Sequence, residues 1–159
     1  MSEIHEEILI HAPIGVCFDA ARDIGLHPRT VWPHTRERAL PGGITEGKME
    51  LGDRVLFEAV HFGVRQRLLS VVEQMEYPYF FVDTMRRGAF RHMTHRYEFE
   101  EKPGGTLVRD ILVFASPLGP LGRLFDRLVL KRYMRAFILY RQRELKKAVE
   151  ALYAAGGHR

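Results

Sequence analysis

A histidine, a tyrosine and an aspartate in the second half of the chain have the types and spacing to do chemistry together. From His92 to Glu101, Met93, His95, Tyr97 and Phe99 alternate with His92, Thr94, Arg96, Glu98 and Glu100. This is the period of a strand with one buried face. His95 and Tyr97 fall on that face, where each polar group requires a partner. A carboxylate is available from Asp110 in the next strand-like segment, Thr106 to Ala115, beyond the hairpin signal Lys102-Pro103-Gly104-Gly105. A four-residue turn, Glu101 to Gly104, sets Asp110 opposite His95, whereas a two-residue turn, Pro103-Gly104, sets it opposite Tyr97. In both registers Asp110 shares the inner face with Val108, Leu112 and Phe114. A buried His–Asp pair can act as a general base with its orienting carboxylate. Equally, the carboxylate can satisfy a buried histidine or tyrosine and fix strand register. The sequence supplies no nucleophile that would select the first reading.

Other chemistries lack their residues. His92 and His95 stand three apart, a metal-ligand spacing on a helix that on a strand sends them to opposite faces. No HExxH, CxxC or acidic calcium loop occurs, and no glycine-rich loop follows a strand and opens a helix. Neither a metal nor another cofactor is therefore expected. The one cysteine, Cys17, lies beside Phe18 and near Ile14 and reads as a small buried hydrophobe.

The elements that must position these residues follow from periodicity. The segment Ile4 to Ile10 alternates as a first strand, and Ile14, Cys17, Phe18 and Ala21 recur at helical spacing behind Pro13. His27-Pro28 and Trp32-Pro33 then interrupt a second helical turn and leave a Trp-bearing loop. Strands are expected over Thr35–Leu40, Arg54–Phe62, Val64–Glu76 and Tyr79–Arg87, then over the two segments already described, with Gly63 permitting a tight hairpin. That makes about seven antiparallel strands. After Pro117 and Pro120 a long helix, Leu121 to Ala154, carries an apolar stripe through Leu121, Leu124, Phe125, Leu128, Tyr133, Phe137, Ile138, Leu145, Val149 and Leu152, and Gly156-Gly157 ends it. At 1.5 Å per residue it is about 50 Å long, enough to cross a sheet.

With 159 residues, 46% apolar and 28% charged, the chain has the composition and size of one packed α+β domain spanning 1–159. Its longest run without Lys, Arg, Asp or Glu is Ile111 to Gly122, short of the roughly 18 apolar residues of a membrane span. The acidic start, Glu3, Glu6 and Glu7, is unlike an export signal, and a lone cysteine forms no internal disulfide, so a cytoplasmic location is expected.

This order of elements, with the strings His61-Phe62-Gly63-Val64, Phe81-Val82-Asp83-Thr84-Met85, Gly88-Ala89-Phe90, His95-Arg96-Tyr97-Glu98-Phe99-Glu100, Gly105-Thr106-Leu107-Val108-Arg109-Asp110 and Ser116-Pro117-Leu118-Gly119-Pro120-Leu121-Gly122, resembles the START/Bet v 1-like superfamily. It is most similar to the bacterial ligand-binding proteins with an SRPBCC domain, of the polyketide cyclase and coenzyme Q-binding kind. The resemblance covers nearly the whole chain. It implies a helix-grip fold, a curved sheet around a long C-terminal helix, whose cavity holds a hydrophobic or amphipathic small molecule such as a lipid, isoprenoid or polyketide. Carriers, sensors and enzymes all occur in such a superfamily. In that frame His95, Tyr97 and Asp110 form the polar end of the pocket, and Phe57, Phe81, Phe90 and Met93 are wall residues. Asp83 faces inward with Phe81 and Met85, or outward if Phe80, Val82 and Thr84 face inward. The same choice holds for Asp53, Val55, Phe57, Ala59 and His61 against Leu56, Val60 and Phe62. Trp32 either rims the cavity mouth or caps the core.

The formal charge of +4 is the sum of unlike parts: residues 121–159 hold ten Lys and Arg against three Asp and Glu, or +7, and the other residues 14 against 17, or −3. Arg123, Arg127, Lys131 and Arg135 recur every four residues on the helix. They form a solvated face, a contact for an anionic membrane or a weak nonspecific contact for nucleic acid. Without a helix-turn-helix or an RNP-like aromatic pattern, specific nucleic-acid binding is not expected. Open sheet edges leave both monomer and dimer as options.

Overall fold

In the computed structural model, which describes residues 1–156, β1 (Ser2–Ile10) leads into α1 (Ile14–Ala21) and two 3-10 turns, His27–Arg29 and Pro33–Thr35. Six strands follow: β2 (Arg38–Leu40), β3 (Arg54–His61), β4 (Val64–Glu76), β5 (Phe80–Arg87), β6 (His92–Lys102) and β7 (Gly105–Ala115). The chain ends in α2 (Gly119–Phe125), a π-helical turn (Asp126–Leu130) and α3 (Lys131–Ala154). The seven strands form one antiparallel sheet in the order β1-β7-β6-β5-β4-β3-β2, so β1 and β2 are its edges. This is the expected helix-grip α+β architecture.

Turn chemistry sets the registers. Lys102 pairs with Gly105 across the two-residue turn Pro103-Gly104, with Gly104 at φ 84, and Asp110 therefore stands opposite Tyr97. Gly105 also has to be glycine on steric grounds, because a Cβ there would lie 2.2 Å from the Ile10 carbonyl oxygen of the neighbouring strand. The β3–β4 turn places both Phe62 (φ 53) and Gly63 (φ 72) in the left-handed region that tight hairpins require. For Phe62 that conformation is strained.

Two expectations change. Thr35 does not open a strand, because Pro33 starts a 3-10 turn, the Thr35 hydroxyl donates to the Trp32 carbonyl at 2.8 Å, and Arg36 at φ 50 leaves the extended path. The apolar stripe of the C-terminal helix is also split. Leu121, Leu124, Phe125, Leu128 and Leu152 are exposed, while Ile138, Leu145 and Val149 are buried. At the start of the helix the inward positions belong to Gly122, Asp126 and Leu130. Both Asp126 carboxylate oxygens accept from Ser116, one from its backbone amide at 2.9 Å and one from its hydroxyl. This anchor rolls the leucines outward. Gly156 ends the helix at φ 94, and Gly157 lies outside the described residues.

The core has two centres. Phe18, Phe81, Phe99, Leu145 and Val149 pack between α1, the sheet and the second half of α3. Leu112, Phe114, Leu130 and Ile138 form a second cluster under the first half of the helix. Each fully buried large apolar side chain contributes about 1.5–3 kcal/mol of transfer free energy.

Candidate functional site

His95 and Asp110 do meet inside. His95 Nε2 is 2.7 Å from Asp110 Oδ1, and the Gln142 amide donates to Asp110 Oδ2 at 2.6 Å. Tyr97 stacks on His95 with centroids 3.8 Å apart and on Phe81 at 4.3 Å. Its hydroxyl accepts from the Arg141 guanidinium at 2.8 Å. All five polar side chains are buried. The group is thus a clamp between the centre of the sheet and α3, with most of its hydrogen-bonding capacity used internally. Burial alone would raise the Asp110 carboxyl, but the hydrogen bond and charge of His95, with Arg141 and Gln142, outweigh it and hold Asp110 below the ordinary carboxylate range.

Asp83 stands opposite His95 across the β5–β6 ladder and therefore shares its inward face. It is half-buried, yet its charged neighbours are interior groups: His95, Arg141, His27 and Asp110. Burial, reinforced by Asp110, pushes its carboxyl up. Two carboxylates in one cluster are driven in opposite directions, because one has hydrogen-bond donors and the other has none among the described residues.

A cavity of about 160 Å³ lies beside this clamp, toward the start of α3. Phe57, Ala59 and His61 from β3, Leu68 from β4, Phe90 and Met93 at the β5–β6 connection, and Leu130, Met134 and Phe137 from the helix enclose it. The inward face of β3 is therefore the one that carries Phe57, Ala59 and His61. Of the residues singled out from sequence, Phe57, Phe90 and Met93 line the cavity, while His95, Tyr97, Asp110, Asp83, Phe81 and Trp32 stand outside its lining. Phe81 is fully buried in the main core. Trp32 is half-buried, stacked on His34 and set edge-on to Tyr133 and Phe137, two lining residues. It thus backs the cavity wall.

Sequence reasoning missed the buried roles of Arg141, Gln142 and Glu37, and it left the face of His61 open. Arg141 and Gln142 are buried in the clamp, although by residue type Arg141 belongs with the basic surface of the helix. Their signal was present, since both fall on the stripe of Ile138, Leu145 and Val149 at spacings of three and four. His61 Nδ1 lies 2.6 Å from the Tyr133 hydroxyl at the cavity wall. Glu37 also lines the cavity, and its Oε1 lies 3.1 Å from His27 Nε2. No periodicity marked Glu37, because the segment around it is not regular.

The cavity opens toward an exposed apolar surface. Leu118, Leu121, Leu124, Phe125, Leu128 and Val129 are exposed on the α2 and π-turn segment, and Phe62 and Val64 on the β3–β4 hairpin. The Phe62 ring lies 6.3 Å from that of Phe125 and 4.4 Å from that of Tyr133, and Phe62 is itself a cavity-lining residue. Arg123, Arg127 and Lys131 are exposed on the same helical segment, whereas Arg135 pairs with Glu6 at 2.5 Å. Among the described residues no helix is long and apolar enough to cross a membrane.

Similar folds occur among solved structures. TTHA0849 from Thermus thermophilus is 19% identical over 94% of this chain and 98% of its own, with a TM-score of 0.73. A START superfamily protein from Mycobacterium smegmatis is 14% identical over 94% and 98%, with a TM-score of 0.69. Ara h 8.0201 is 18% identical over 94% and 98%, with a TM-score of 0.63. At these identities the likeness establishes the fold alone, the START/Bet v 1-like helix grip. None of the curated proteins matches the chain. Residues 1–150 match the family described as polyketide cyclase / dehydrase and lipid transport, and the chain belongs to that family.

Proposed function

We propose that the protein binds a hydrophobic or amphipathic small molecule, such as a lipid, isoprenoid or polyketide-like compound, as a carrier or sensor. The observation that carries this reading is a largely apolar cavity under the first half of the C-terminal helix that opens beside an exposed apolar surface. A space of this size takes one aromatic ring or a short chain segment, as dry apolar cavities of about 150 Å³ do. Larger ligands would extend outward past Phe62, the exposed aromatic of the lining.

In this reading Phe57, Phe90 and Met93 touch the ligand. His95, Tyr97, Asp110, Asp83 and Phe81 hold the wall in place, and Trp32 backs it. The alternative is an enzyme that uses His95, Tyr97 and Asp110 in acid–base chemistry, as a polyketide cyclase or hydrolase would. What favours the binding reading is that both Asp110 oxygens, His95 Nε2 and the Tyr97 hydroxyl oxygen are already engaged by protein.

The ligand would be collected at an anionic membrane face. Arg123, Arg127 and Lys131, with Arg135 beside them, would attract the bilayer, and Leu121, Leu124, Phe125 and Leu128 would enter the interface. A cytoplasmic location fits the single, fully buried cysteine. Titration with a fluorescent fatty-acid probe tests the reading. Saturable binding that Ala59→Phe abolishes by filling the cavity is expected. Binding that Ala59→Phe leaves intact places the ligand elsewhere.

A further inference from the structure

Most polar side chains that line the cavity already have protein partners. Arg67 donates to Glu58 at 3.1 Å, Gln66 donates to the His61 carbonyl at 3.3 Å, and the His61 ring bonds to the Tyr133 hydroxyl. Glu37 differs. Its Oε1 is held by His27, its side chain is 10% exposed, and its Oε2 is buried without a hydrogen bond. The chain delivers it there from the irregular strap between the Pro33–Thr35 turn and β2, against the wall formed by Phe57 and Ala59.

A buried carboxylate oxygen with no donor is costly, all the more when charged, and proteins keep such groups where something completes them. Burial alone would raise the Glu37 carboxyl, but the charge and hydrogen bond of His27, with Arg141 and His61, bring it below the ordinary range, so it is ionised at neutral pH. An ionised carboxylate only accepts hydrogen bonds. The missing partner therefore has to be a donor. The other buried side-chain atom without a hydrogen bond, Arg141 Nε in the clamp, makes none to Glu37, which leaves a donor entering the cavity.

We propose that Glu37 is the polar anchor of the cavity, its Oε2 accepting a hydrogen bond from a hydroxyl group on an otherwise apolar ligand. This rests on the reading of the cavity as a ligand site, and it narrows the ligand class from any apolar molecule to one with a hydroxyl at its buried end. His27 acts as the positioning residue that holds the carboxylate in place.

Calorimetric titration with 4-ethylphenol and 4-ethyltoluene tests it, since a methyl group in the second replaces the hydroxyl of the first at nearly equal volume. Wild-type protein should bind the phenol about tenfold or more tightly than the toluene, as expected of a hydrogen bond to a charged acceptor. Glu37→Gln, checked for native melting, should reduce that preference to about threefold or less. Equal affinities in the wild-type protein overturn the anchor while leaving the cavity reading intact, and they would mean that solvent satisfies Oε2. Failure of both probes to bind overturns the anchor together with the cavity reading. The wild-type comparison stands without any variant.

Discussion

Asp110 binds His95 through one carboxylate oxygen, at 2.7 Å, and Gln142 through the other, at 2.6 Å, so a single side chain on β7 ties β6 to α3. Removing it strands two buried polar groups. Asp110→Ala should cost roughly 3 kcal/mol of stability in urea denaturation at neutral pH. The native carboxyl lies below its unfolded value, so its contribution is complete above the ordinary aspartate range and disappears as pH falls through the lowered native value. Wild-type stability should therefore drop in acid more steeply than that of Asp110→Ala. Parallel pH profiles would remove this role.

Asp83 should behave with the opposite sign. Its native carboxyl is raised by burial, so with rising pH the unfolded chain ionises first, and native stability falls between the ordinary aspartate value and the raised native one. Asp83→Asn lacks that loss. It should melt at a higher temperature than wild type at pH 7 and at nearly the same temperature at pH 3, as read by circular dichroism.

Trp32 is the only tryptophan and packs edge-on against Tyr133 at 5.3 Å and Phe137 at 5.2 Å. Filling the cavity should move those rings and shift or quench its emission. An emission spectrum unchanged at saturating ligand would place the ligand away from this wall.

The exposed leucines predict membrane binding that depends on two terms. Wild-type protein should pellet with vesicles containing anionic lipid and much less with neutral ones, and the double variant Leu121→Asp, Leu124→Asp should lose about tenfold or more in partitioning. Equal pelleting with and without anionic lipid would remove the basic residues from the account.

Cys17 is fully buried, and burial pushes its thiol up to about 11. A thiol reagent at pH 8 should label it only after unfolding. Rapid labelling of the native protein would mean that α1 opens readily.

Strand alternation and turn chemistry carry most of the fold, and they are enough to place His95, Tyr97 and Asp110 on one inner face. Two turn lengths were compatible with Lys102-Pro103-Gly104-Gly105, so alternation alone left the partner of Asp110 open; the structure pairs it with Tyr97 across the ladder and bonds it diagonally to His95. The inward faces of β3 and β5 were ambiguous because both sides of these strands carry apolar residues. The roll of α2 was hidden for a different reason: buried Asp126 takes an inward position through its bonds to Ser116, and hydrophobic periodicity has no means of anticipating a buried carboxylate. Glu37 escaped because a side chain on an irregular strap has no period at all.

The central claim is that the cavity under the first half of the C-terminal helix holds an apolar ligand. Native mass spectrometry of the protein purified from its own host tests this most directly. The account predicts an added mass of a lipid-like or polyketide-like molecule on the wild-type protein and none on Ala59→Phe with the same circular dichroism spectrum. The same added mass on both proteins, or an unliganded wild-type protein that also fails to take up the fluorescent fatty acid, would contradict it.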